Sequence, residues 1–391
     1  MTQQFAFQLW REFKLSIAEI FAVFPKGEAL YFDTEILLLS NLNSEEVLEK
    51  ASNLWGTIKI IEIIEKEDLL EAGKNHEWKF KYGISIFWKK ESLKKILIDQ
   101  KKELKENGIS SRFVNKDFKN LSSAQILWEK LCSRWTDYSY IITSEKEYLG
   151  KTIWIQNIEE YSSRDYSKDR DMQVWMLPPK LAQMMINLWK WEYIYDPFVW
   201  LGTVLIEGIL MWYKEIYGSD LSQKMVDVSG KNIDKLLQEK NIKGVRKNIK
   251  LQNAKYISEV DFLEKNNAVK IVTEWYLWEI MTQKNISIER IEKQKKSLLD
   301  LYQWFFEWLS KKEFLWDIII SFPFWEIQSV SALWGWKYYY FEEVYLLLNK
   351  YCNIQPLFPT SFDLETTKSW SLLYKREKQL VWREVFKLLM K

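Results

Sequence analysis

Asp196-Pro197-Phe198-Val199-Trp200-Leu201-Gly202-Thr203 lies between an apolar, strand-like approach at Tyr193–Asp196 and a helix-like run, Val204-Leu205-Ile206-Glu207-Gly208-Ile209-Leu210. Strand, tight turn and helix in that order are how doubly wound α/β proteins cradle a nucleotide. Such a turn brings backbone close to the ligand and wants glycine, which has no side chain to block the approach and tolerates positive φ. Gly202 meets that requirement. Trp200 does not, because an indole two residues earlier stands where the ligand should lie.

Working outward, the segments around the turn alternate. Helix is expected at Pro179–Leu188, strand at Tyr193–Asp196, helix at Val204–Tyr213, strand at Glu215–Asp220, helix at Ser222–Glu239, and strands at Ile249–Leu251 and Val269–Thr273. A long amphipathic helix over Ile286–Leu309, a strand over Asp317–Phe322 and closing strands near Phe362 and Leu372–Tyr374 complete the series. Alternation of this kind implies a mostly parallel sheet with helices on both faces. Upstream, Leu15–Phe24 has helical spacing with Ser16 as a capping candidate, and strand-like runs surround Ala29–Phe32 and Ile58–Ile64. A second module reads as strand Tyr82–Phe87, helix Glu91–Asn107, strand Ser110–Val114, helix Ser122–Leu131 and strands Tyr138–Thr143 and Thr152–Gln156. The polar run from Glu159 to Arg170 reads as a linker. The expected organisation is a small α/β domain over residues 1–70, a second α/β domain over 71–158 and a Rossmann-like domain over 159–391.

Composition narrows the chemistry. The 391 residues carry 56 Lys and Arg against 54 Asp and Glu, so no overall field favours nucleic acid and any such surface must be a local patch. One histidine, His76, and two distant cysteines, Cys132 and Cys352, exclude His-based triads, zinc knuckles and disulfide frameworks, and no metal site is expected. The N-terminus lacks a signal-peptide pattern. The longest apolar stretch, Phe198 to Tyr213, is broken by Glu207 and falls short of the roughly 20 residues that span a bilayer. A soluble, cytoplasmic protein is the expectation.

The next expected strand ends at Asp220, 24 residues beyond Asp196, near the ~20-residue offset at which nucleotide-binding folds place a carboxylate on ribose hydroxyls. Read structurally instead, Asp220 caps the helix that begins near Ser222. At the end of the strand over Val269–Thr273, Glu274-Trp275-Tyr276 supplies a carboxylate and two aromatics, and Asn253 follows a strand where a polar side chain can reach a base edge.

Together these residues resemble the THUMP-containing tRNA guanosine N2-methyltransferases of the guanosine-10 type, which use S-adenosylmethionine. The turn looks like their D-P-F-x-G-x-G-T methyl-donor loop, and Ile216-Tyr217-Gly218-Ser219-Asp220-Leu221-Ser222 looks like their ribose strand. Arg164-Asp165, Met176-Leu177-Pro178-Pro179-Lys180-Leu181-Ala182-Gln183, Leu373-Tyr374-Lys375-Arg376 and Arg383-Glu384-Val385-Phe386 extend the likeness over nearly the whole chain. The resemblance implies a class I methyltransferase domain preceded by a THUMP-type RNA-binding module over about 70–158, with tRNA as partner. It implies that Asp196, Pro197, Phe198, Trp200, Gly202, Thr203, Asp220 and Asn253 line the cofactor. Glu274 takes the amine-acceptor place of the family's D/N-P-P-Y/F motif, where Trp275-Tyr276 replace two prolines, and Tyr276 is placed to stack on an extruded base. No histidine base is needed, because the amine attacks an already activated sulfonium methyl. For RNA contact the candidates are Lys89-Lys90, Lys94-Lys95, Lys101-Lys102, Arg112 and Lys116. The alternatives are a tRNA-binding protein without catalysis and a DNA adenine amino-methyltransferase. The need for an activating protein subunit stays open.

Tryptophan usage is abnormal, at 22 residues beside 12 glycines, whereas glycine ordinarily makes up about 7% of a protein. Trp10, Trp55, Trp175, Trp189, Trp191, Trp200, Trp278 and Trp382 stand where the family pattern or local geometry calls for glycine. The expectation is a gene that reads UGA as glycine, rendered here with UGA as tryptophan.

Overall fold

The computed structural model describes the chain except for residues 1–2, 77–78, 88–91, 158–176, 190–191, 255, 257–268, 276–286, 312–316, 329–335, 340–341, 360, 368 and 376–380. The chain divides into two compact units, Met1–Lys168 and Asp169–Lys391.

The first unit runs β1 (Gln3–Leu9), α1 (Phe13–Val23), β2 (Glu28–Phe32), β3 (Ile36–Leu42), α2 (Ser44–Ala51), β4 (Thr57–Ile64), α3 (Lys66–Lys74), β5 (Phe80–Phe87), α4 (Leu93–Glu106), β6 (Ser111–Phe113), α5 (Ser123–Trp128), β7 (Thr136–Ile142) and β8 (Glu147–Ile155). All eight strands share one sheet in the order β2-β3-β1-β4-β8-β7-β5-β6. The antiparallel pairing of β4 with β8 joins residues 57–64 to 147–155. Its interior holds an ion pair: Lys59 Nζ lies 2.7 Å from Asp137, which also accepts from Thr152 Oγ1 at 2.6 Å. Ser16 does not cap α1, because the helix starts three residues earlier and the hydroxyl donates back to the Glu12 carbonyl from inside it.

The second unit runs α6 (Pro179–Asn187), β9 (Tyr193–Asp196), α7 (Thr203–Leu210), β10 (Glu215–Asp220), α8 (Gln223–Glu239), β11 (Arg246–Leu251), β12 (Val269–Glu274), α9 (Ile288–Ser310), β13 (Asp317–Gln328), β14 (Trp336–Tyr339), α10 (Glu342–Tyr351), β15 (Cys352–Gln355), β16 (Leu372–Tyr374) and β17 (Val381–Met390). Its sheet has the order β11-β10-β9-β12-β13-β17-β15, with β14 on β13 and β16 on β17. Neighbours from β11 to β13 are parallel, and β17 is antiparallel to β13 and β15. This is the α/β, Rossmann-like arrangement: the chain steps outward from β9 through β10 to β11, then returns to β12 on the other side of β9. The adjacent carboxyl ends of β9 and β12 therefore form a topological switch point, where such sheets bind ligands.

Buried strands explain the reading of the sequence. Tyr193–Asp196 and Glu215–Asp220 begin and end where expected, bounded by Pro197 and by the Asp220–Ser222 turn. The strand expected near Phe362 is absent: the residue lies in a bend, and its backbone N–H donates to the Pro359 carbonyl at 2.8 Å. The last antiparallel strand is formed by Val381–Met390, which is buried from Val381 to Phe386, Arg383 and Glu384 included. No described helix is long and apolar enough to cross a membrane.

Candidate active site at the strand carboxyl ends

Three carboxylates stand at the ends of three adjacent strands: Asp220 on β10, Asp196 on β9 and Glu274 on β12. Asp196 is buried at the switch point. Its Oδ1 accepts from Thr273 Oγ1 at 2.6 Å, across the gap between β9 and β12, and from the Phe198 N–H at 3.1 Å. Burial pushes its pKa up to about 7; the two hydrogen bonds oppose that shift, while the charges of Asp220 and Glu274 add to it. The three carboxyl groups are thus electrostatically coupled.

The loop between Asp196 and α7 is tightly built. Val199 N–H donates to the Ser219 carbonyl at 2.9 Å, and Gly202 N–H donates to Val199 O at 2.6 Å. Gly202 sits at φ 83° as the N-terminal cap of α7, a left-handed conformation for which glycine has no steric penalty. A Cβ there would lie 3.3 Å from Ser229 Cβ on α8. Trp200 is also left-handed, at φ 42°, where a bulky residue is an outlier. Its N–H donates to Asp220 Oδ2 at 3.0 Å, and Ser222 N–H donates to Asp220 Oδ1 at 2.9 Å. Asp220 therefore ties the loop to the turn before α8 without capping that helix, whose N-cap residue is Ser222. Each of its oxygens keeps a further acceptor position.

Of the remaining predicted residues, Pro197 is buried in the loop, Thr203 is buried as the first residue of α7, and Asn253 is half-buried after β11. Phe198 turns away from the loop into an aromatic wall, its ring centroid 4.6 Å from that of Trp275. Trp275 is fully buried and packs edge-on against Tyr302 at 4.2 Å and Phe305 at 5.0 Å, and flat against Phe322 at 5.9 Å. Tyr276 and Trp278 lie outside the described residues, as do Lys89, Lys90, Trp175, Trp191 and the linker at 159–170.

Glu274 is joined by a residue that the local pattern did not reveal. Arg383 of β17 donates its Nε–H to Glu274 Oε1, and the two side chains are 3% and 14% exposed. Burial raises the Glu274 pKa and the guanidinium lowers it. Thr273 is a second such residue. Its signal was its place directly before Glu274, whereas Arg383, 109 residues downstream, had no local one.

No protein-family model matches the chain, and no curated protein matches it. Among solved structures it is similar to TrmN from Thermus thermophilus, at 13% identity and TM-score 0.44 over 100% of this chain and 99% of that one. It is also similar to a possible methylase from Clostridium difficile 630, at 12% identity and TM-score 0.45 over 99% and 98% of the two chains. M. capricolum TrmK, solved with S-adenosyl-homocysteine, shows 12% identity and TM-score 0.27 over 50% of this chain and 61% of that one. All three scores lie below one half, so the assignment of the site rests on strand order and on the residues gathered at the strand ends.

Of the described tryptophans expected to stand for glycine, Trp10, Trp55, Trp189, Trp200 and Trp382, left-handed backbone occurs only at Trp200. Trp55 and Trp382 are buried, and Trp382 stacks on Phe324 at 5.7 Å. Outside that set, left-handed backbone is also found at Trp212 (φ 74°) and at Trp370 (φ 62°). Among the described residues, tryptophan holds as many left-handed positions as glycine, three each. At Trp212 the motif is specific. Tyr213 N–H donates to Gly208 O at 3.1 Å and Trp212 N–H to Ile209 O at 3.0 Å, closing α7 in a Schellman turn whose left-handed residue is Trp212. Trp370 occupies the same kind of place in the tight loop closed by the Thr367 N–H bond to Ser371 O.

Proposed function

We propose that this protein is an S-adenosylmethionine-dependent RNA methyltransferase that modifies an exocyclic amine of tRNA, the N2 of guanosine. The observation that carries the reading is the convergence of Asp220, Asp196 and Glu274 at the switch point, around a left-handed loop. The donor set fits the cofactor: carboxylates complement ribose hydroxyls and a sulfonium–ammonium cation. Asp220 receives the ribose, the loop from Asp196 to Thr203 takes the methionine end, and Asn253 meets the adenine edge. When bound, S-adenosylmethionine supplies the methyl group: the substrate N–C bond forms as the S–C bond breaks, the sulfonium becomes a neutral thioether, and the new ammonium releases a proton to water.

Glu274 accepts a hydrogen bond from the amine and aims its lone pair, and Tyr276 stacks on the base. Positioning and charge complementarity supply the acceleration. In the first unit, residues 71–158 present the tRNA. Lys94 lies 5.3 Å from the Phe118 ring and Lys101 5.7 Å from that of Phe113, so cations of α4 lie over rings of β6 and the turn that follows it. Such a surface suits a phosphate backbone with stacked bases.

The indole of Trp200 is the part that does not fit. We read positions 200, 212 and 370 as glycine in the native protein, encoded by UGA. UGG codons at these positions would refute that reading and favour an RNA-binding protein without catalysis. The function is tested with labelled S-adenosylmethionine and unmodified tRNA, using the Trp200→Gly/Trp212→Gly/Trp370→Gly protein and nucleoside analysis. Label in N2-methylguanosine is expected, and no label in guanosine would remove the claim.

A further inference from the structure

Building on the proposed methyl transfer, we infer that Arg383 is the positioning residue for the reacting amine: it fixes Oε1 of Glu274 and leaves Oε2 as the oxygen offered to the substrate. Across the sheet, Glu274 pairs with Ser321, Ser321 with Val385, and Pro323 with Arg383. Side chains two apart on a strand share a face, so Arg383, Val385, Ser321 and Glu274 stand on one side. From β17 the guanidinium crosses over β13 to meet Glu274. Beneath this path the Ser321 hydroxyl is buried and has no partner among the described residues. The neighbouring acid does not compete, because Glu384 is taken by Tyr345 Oη at 2.7 Å and by Ser371 Oγ. Thr273 is likewise committed to Asp196. Among the described residues Glu274 has no partner other than Arg383, and none of them claims Oε2.

Among the described residues, the charged and titratable groups facing Glu274 are few. Asp196 from β9 is a like charge, Arg383 from β17 is the opposing cation, and Ser321, the β13 partner of Glu274, brings a hydroxyl. Burial raises the Glu274 pKa and Arg383 opposes that rise, so loss of Arg383 shifts the carboxyl toward its protonated form, a weaker acceptor than the carboxylate. An opposite charge at contact distance shifts a carboxyl by about 1–3 pH units, which sets the expected size of the effect.

The test uses full-length protein carrying Trp200→Gly, with methyl-transfer rate measured from about pH 5 to about pH 9 and S-adenosylmethionine affinity measured by titration. Arg383→Gln is expected to lower kcat at least tenfold at neutral pH, to move the acidic limb up by about one unit or more and to leave cofactor affinity within twofold. Arg383→Lys, which keeps the charge, restores most of kcat and leaves the limb in place. If Gln and Lys behave alike, the proposal is overturned. Where Arg383→Gln fails to fold, Glu274→Gln/Arg383→Gln is compared with Glu274→Gln alone: equal residual rates support the proposal, and a further tenfold loss overturns it. Carboxyl carbon NMR separates this inference from the functional reading. If no methyl is transferred, the functional reading fails, while an upward Glu274 titration in Arg383→Gln still supports the pairing and an unmoved one overturns it.

Discussion

The turns after β9 and β12 leave adjacent strands of one sheet, and each carries a tryptophan on a different physical footing. Trp275 is enclosed by Phe198, Tyr302, Phe305 and Phe322, with no exposed surface, and it supports the wall behind the switch point. Trp200 is only half-buried and holds a left-handed backbone beside Gly202. An indole is a large apolar group that suits a core. It is poorly suited to a turn that, on the proposed function, brings backbone close to ligand. A tryptophan is therefore native-like where its side chain is used, and out of place where only its backbone is.

The contrast predicts substitutions of opposite sign. Trp275→Ala should destabilise the second unit by about 3–5 kcal/mol, the range for emptying a large aromatic site, read as a lower denaturant midpoint. A change below about 1 kcal/mol would show that the wall is not packed as described.

Between the two turns stands Asp196, and its titration gives the next effect. Its folded pKa lies near 7 against an ordinary 3.8. A raised carboxyl pKa means that the folded state holds the proton more tightly, so stability is greatest at low pH and declines as pH climbs from about 4 to about 7. Asp196→Asn keeps an acceptor for Thr273 and should flatten that decline, a gain on the order of 2 kcal/mol at about pH 8. Lys270, at the opposite ends of the strands, has the opposite sign. Burial lowers its pKa to about 7 from an ordinary 10.5, so its contribution grows more favourable across that interval and Lys270→Met should remove the rise. Equal pH profiles for parent and variants would contradict both assignments.

Relief of left-handed strain comes next. Trp200→Gly should stabilise by about 1–3 kcal/mol. Trp212→Gly and Trp370→Gly should each add about 1 kcal/mol, with additive gains in thermal midpoint because the sites do not share partners. Destabilisation at Trp212 would mean that its indole packs usefully, although it is 73% exposed.

Much of the second unit was legible because each strand lies between punctuating residues: Pro197 ends β9, and the Asp220–Ser222 turn ends β10. The candidate acids could be read for the same reason, since strand ends can be located from such signals. Arg383 could not, because its partnership with Glu274 depends on β17 lying antiparallel beside β13, a pairing that leaves no mark near either residue. The misplaced strand near Phe362 has a related cause: a short apolar run reads alike in a strand and in a bend. Trp200 stands out from its motif, whereas Trp212 does not, since the Schellman turn that calls for glycine there is visible only with its hydrogen bonds.

The most direct measurement is a calorimetric titration of S-adenosylmethionine into the protein with Trp200 and into Trp200→Gly. Dissociation constants at least tenfold lower for Trp200→Gly, with the gain abolished by adding Asp220→Ala, are the predicted result. Equal affinities for the two proteins, or binding indifferent to Asp220, would contradict the placement of the methyl-donor site at this turn.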